Sequence, residues 1–117
     1  MDKAKINTVI FSIIGAVTTY YLNHAMGYGA VIANGVVGIV GAVLLSAPLA
    51  VAVFVASFVG MSGAAVIPTI AWAGVGGCVC GFILAFTPEI YAGIGGKGGT
   101  TAALSVQITR AIVNLFI

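Results

Sequence analysis

The sequence predicts an all-α, polytopic integral membrane protein with four to five transmembrane or half-membrane helical segments, and three observations carry that prediction. Of its 117 residues 62% are hydrophobic and only 5% charged, whereas an average soluble domain is about a quarter charged. A soluble fold of this size leaves too much of its chain exposed to hide so much apolar surface. Apolar runs recur near the roughly 20 residues that cross hydrocarbon, and Pro and Gly clusters separate them. The length then has room for four or at most five spans. The expected organisation is one membrane domain, 1–117, with segments at about 6–24, 30–46, 48–62, 64–87 and 101–117 and a glycine-rich break at 92–100.

The first segment follows the basic start MDKAK, which resembles the n-region of a signal peptide. The stretch after it, NHAMGYG, has no A-x-A-like cleavage pattern, so the expectation is a retained first helix. Tyr20 and Tyr21 at its far end suit an interfacial belt, and His24 beside them is a headgroup-level residue with no second ligand in view. Gly27-Tyr28-Gly29 shares letters with a potassium filter, but a filter resembles T-V-G-Y-G after a pore helix. Here Ala25 and Met26 precede the triplet, and a glycine turn accounts for it.

In the second segment Gly35, Gly38 and Gly41 recur every three residues beside Asn34. Small residues at that spacing let another helix approach closely, and Asn34 either bridges helices or lines a pore. Pro48 opens the third segment. Its apolar part, 49–59, measures only about 16 Å as helix, so it spans only by running on through Gly60, Met61, Ser62 and Gly63. The fourth segment carries Pro68 near its entrance, a Gly77/Gly81 GxxxG pair, and Pro88 at its end. Cys78 and Cys80 inside it are two apart, point in different directions on a helix, and are poor disulfide partners. In the fifth, Gln107, Arg110 and Asn114 follow at steps of three and four, a polar stripe that should not meet lipid tails.

Between the fourth and fifth segments, 87–104 reads TPEIYAGIGGKGGTTAAL and holds Glu89, Lys97 and five glycines between Gly93 and Gly99. Irregular backbone of this kind is tolerated in a membrane only at its surface or along a protein-enclosed cavity. An internal duplication is also expected: Gly60 pairs with Gly96 and Gly63 with Gly99, and, upstream, Gly41 with Gly81 and Pro48 with Pro88. Two topologies follow. With five ordinary crossings, Lys3, Lys5 and Lys97 share the cytoplasmic side, in keeping with the positive-inside rule. With 48–65 and 87–104 as inverted re-entrant pieces, Met61 and Ser62 face Lys97 across a pore.

Gly95, Gly96, Lys97, Gly98, Gly99 and Thr100 lack the G-x-x-x-x-G-K-[ST] order of a phosphate loop. The tetrapeptide Gly95-Gly96-Lys97-Gly98 resembles part of the glycine-rich motif of the membrane glycerol-3-phosphate acyltransferases. Over four residues, that resemblance implies no more than an anion-attracting concavity of backbone amides beside a lysine. Asp2 and Glu89 are the only carboxylates, and the cysteines and His24 lie in different segments, so no enzyme, metal or cofactor is expected. Without a basic run, nucleic acid is not an expected partner.

The expected function is a small homo-oligomeric channel or transporter for a small ion, an anion favoured, or a polar solute. Its lining residues are Lys97, Gly95, Gly96, Gly98, Gly60, Met61, Ser62, Arg110, Gln107 and Asn34. The alternative is a structural or accessory subunit that packs against other membrane proteins. The expected location is the cell (inner) membrane with the N-terminus cytoplasmic, and the expected partners are the lipid bilayer, the solute and further copies of the chain.

Overall fold

A computed structural model describes residues 3–63, 66–86 and 97–116. Five α-helices form the fold: α1 Lys3–Tyr20, α2 Ala30–Leu44, α3 Ala47–Gly60, α4 Ile70–Phe86 and α5 Lys97–Phe116. A π-helical turn, Tyr21–Ala25, continues α1. The next residues form the expected glycine turn, with Gly27 at φ 73° and Gly29 at φ 88°. L-residues with a Cβ pay for that left-handed region, and glycine does not.

Local chemistry sets the other ends. Pro48 falls in the first turn of α3, where its missing N–H leaves no helix bond unmade. Segment four was expected from 64, yet α4 begins only at Ile70. Pro68 lacks a backbone donor and biases Ile67 away from helical backbone, and Thr69 Oγ1 accepts from the Trp72 amide at 3.3 Å to cap the new start. The expected break at 92–100 also needs correction: Lys97, Gly98, Gly99 and Thr100 are helical. Thr101 and Ala102 are buried against the bundle, and tertiary packing of that kind offsets the weak helix preference of the glycines.

The helices alternate in direction. A Cβ on Gly15 would lie 2.6 Å from Val53 O and one on Gly60 2.6 Å from Ala16 O, so α1 and α3 touch backbone to backbone and run the same way. Along α4 the order reverses, with Gly74 near Val17, Gly77 near Ile13 and Gly81 near Val9. Asn34 meets Ser57 and Gly41 meets Val53, so α2 opposes α3; Trp72 meets Phe116 and Gly76 meets Thr109, so α5 opposes α4. The proximal end therefore holds the starts of α1, α3 and α5, and the distal end holds the glycine turn, the end of α3 and the start of α4. Helix α3 runs unbroken from one end to the other and does not dip and return. Gly63, outside helix, and Gly99, within α5, adopt different conformations although the proposed duplication pairs them.

Helices α1, α3 and α4 form a central trio, with α2 packed on α3 and α1, and α5 on α4 and α3. The interior is made of small side chains, among them Ala16, Ala56 and Ala73, together with the buried hydroxyls of Ser12, Thr19, Ser57, Thr101, Ser105 and Thr109. Large apolar side chains lie outside on all five helices: Ile10 and Ile14, Val31 and Val43, Val51, Phe86, and Leu115 are exposed. Among the described residues one stretch, Lys5–Ala25, is long and apolar enough by itself to cross a membrane. At 1.5 Å per residue, α2, α3 and α4, of 15, 14 and 17 residues, measure about 22, 21 and 25 Å. A hydrocarbon core is about 30 Å thick.

Candidate functional site

Helix α5 carries two polar faces. Inward, Thr101, Ser105 and Thr109 recur every four residues and are buried. Ser105 Oγ donates to Thr101 O and Thr109 Oγ1 to Ser105 O, each at 2.7 Å, so these two hydroxyls are satisfied within their own helix. Outward, Thr100, Ala103, Gln107 and Asn114 are exposed and Arg110 is half-buried. The stripe of Gln107, Arg110 and Asn114 legible in the sequence thus lies on the outside of the protomer. The hydroxyl line went unread although its spacing of four was visible, because Ser and Thr carry too little polarity to mark a face among apolar neighbours.

Arg110 reaches towards the distal end, where Nη1 donates to Val66 O at 3.4 Å. Its expected ion-pair partner, Glu89, lies outside the described residues. Phe86, the last described residue before Glu89, is at the proximal end, as Lys5 Nζ over its ring at 4.6 Å shows.

Asn34 is a bridge between helices: its Nδ2 donates to Ser57 Oγ, and Ser57 in turn donates to Phe54 O. The pair satisfies a hydroxyl in the middle of the α2–α3 contact, the packing role open to a buried amide. Asn34 also borders a groove on the outer side of α2 and α3, with Gly35, Gly38 and Ala50 along it.

Gly60, Met61 and Ser62 terminate α3 at the distal end, where the last carbonyls of a helix lack internal partners. The π-helical turn aims two consecutive residues at them. Asn23 Nδ2 donates to Gly60 O at 3.4 Å, and His24 Nε2 lies 2.8 Å from Ser62 O, which requires the tautomer with hydrogen on Nε2. Tyr20 OH donates to Ile67 O at 2.7 Å, and its ring lies 4.3 Å from that of His24. Tyr20, Tyr21, His24, Pro68, Thr69 and Ile70 surround an open cleft of about 540 Å³. Tyr20 was read from the sequence only as an interfacial residue and Asn23 was given no role, because their partners lie 47 and 37 positions away.

Lys97 and Gly98 open α5 at the proximal end, and Gly95 and Gly96 lie outside the described residues. The fold therefore keeps Lys97 apart from Met61 and Ser62, at the opposite end of the bundle. Lys97, Lys5 and Lys3 share the proximal end. Among the described residues no group of His, Cys, Asp or Glu side chains is placed to hold a metal ion. Comparison of the chain with protein-family models, with curated proteins and with solved structures gave no match.

Proposed function

We propose that the chain is a small integral membrane protein that crosses the bilayer with five alternating helices and associates with copies of itself to form a pathway for small ions or polar solutes. Its wall is the outward stripe of α5: Thr100, Ala103, Gln107, Arg110 and Asn114. The membrane reading is supported by an exterior of Val, Ile, Leu and Phe around an interior of Ala, Gly and hydroxyl side chains, with exposed apolar residues on every helix. An aqueous surface does not tolerate so large an apolar area, whereas small residues at contacts and large ones outside suit helices packed in lipid.

One observation carries the pathway reading: Gln107 and Asn114, exposed on the protomer, would face hydrocarbon in a lone copy. Polar groups without partners in lipid cost several kcal/mol each. Self-association around a shared aqueous axis removes that cost. The shared end of Lys3, Lys5 and Lys97 supports a cytoplasmic N-terminus by the positive-inside rule.

The test is flux from proteoliposomes made with the purified chain, after Cys78 and Cys80 are replaced by Ala. Introducing Gln107→Cys and adding a membrane-impermeant thiol reagent should block flux, while the same reagent on Val43→Cys, a site facing lipid, should not. Absence of flux, with a fixed partner protein co-purifying, would replace the pathway by a structural or accessory role.

A further inference from the structure

We propose that Arg110 is the anion-recognition residue of this stripe, so that the pathway selects small inorganic anions at its distal mouth; the selectivity rests on the pathway reading above. A guanidinium offers five N–H donors, and among the described residues the acceptor it meets is Val66 O, at 3.4 Å. The sequence holds two acidic side chains, Asp2 and Glu89. Both lie outside the described residues.

The flanking stripe is uncharged. Thr100 and Gln107 precede Arg110 towards the proximal end and Asn114 follows it, and all three are exposed. Hydroxyls and amides replace the hydration of either sign of ion, so they confer little charge preference. A guanidinium supplies that preference: it offers charge-assisted hydrogen bonds to an anion and repels a cation. Val66 O holds the head of Arg110 near the start of α4. Selection therefore occurs close to one mouth, and a permeating anion meets the neutral part of the stripe over most of its path.

The chain's single tryptophan, which lies towards the same distal end as the head of Arg110, supplies a probe that does not depend on flux. Trp72 lies two residues inside α4, and its ring is 6.3 Å from that of Phe116, in the last turn of α5. The experiment compares quenching of Trp72 by iodide with quenching by neutral acrylamide at fixed ionic strength, in the full chain, its Arg110→Gln variant and its Arg110→Lys variant. A nearby unit charge concentrates a counter-ion by a factor of about two or more. Arg110→Gln should lower the iodide-to-acrylamide ratio by about that factor, Arg110→Lys should keep most of it, and raised salt should erase the difference.

An unchanged ratio in Arg110→Gln overturns the anion site. So does an equal fall in both quenchers, which would report a structural change. In vesicles, wild-type flux with anion-over-cation selectivity that survives Arg110→Gln overturns the selectivity role and leaves the pathway standing. Absence of wild-type flux overturns the pathway and the selectivity role with it, and the iodide ratio then decides whether Arg110 binds anions.

Discussion

Glycines of similar appearance in the sequence occupy opposite physical situations. A Cβ on Gly77 would lie 2.8 Å from Ile13 Cα and from Ser12 O, which are backbone atoms of α1 that cannot rotate away. One on Gly35 would meet nothing within 4 Å. Gly77→Ala should therefore destabilise the protein by about 1–3 kcal/mol through overpacking. Gly35→Ala should stabilise it by about 0.5–1 kcal/mol through the lost entropy cost of a helical glycine. Unfolding titrations in a non-ionic detergent, followed by Trp72 fluorescence, measure both. Equal losses at the two positions would refute the packing difference. The spacing of these residues was legible in the sequence, but not which of them touch a neighbour, because contact depends on rotation about axes that only the assembled bundle sets.

At the scale of the element, the five helices were legible as apolar runs bounded by Pro and Gly, and their ends less so. Pro68 delays α4 to Ile70, and burial of Thr101 and Ala102 extends α5 back to Lys97; in both cases a local rule and a tertiary contact had to be weighed together. Alternating direction makes a topological prediction. In a background with Cys78 and Cys80 replaced by Ala, Lys97→Cys and Lys3→Cys should react with impermeant thiol reagents from the same side of an oriented vesicle, and Ser62→Cys from the other. Reaction of positions 62 and 97 from one side would require α3 or α5 to re-enter. The π-helical turn was not legible at all. It depends on Asn23 and His24 finding the carbonyls of Gly60, the last residue of α3, and of Ser62 just past it, which are 37 and 38 residues away in sequence.

At the scale of the whole molecule, the bundle measures 33 × 32 × 25 Å, and three of its helices fall short of a typical hydrocarbon core. A mismatch of this kind costs fractions of a kcal/mol per Å. The protein should accordingly be more stable, and as a pathway more active, in bilayers of short acyl chains than of long ones. Unfolding midpoints and flux across a series of phosphatidylcholines of increasing chain length test this; a rise with thickness would oppose the helix lengths described here.

The sequence by itself determined the all-α class, a count of four to five helical segments and the polar stripe on the last of them. Those features are written in composition and in periods of three and four residues, which act locally. Only the tertiary structure decided that the stripe faces outward, that Asn34 is spent on Ser57, and that Lys97 stands at the opposite end from Met61 and Ser62. Each of these depends on which helix packs beside which and in what direction, a choice made by backbone contacts between residues dozens of positions apart.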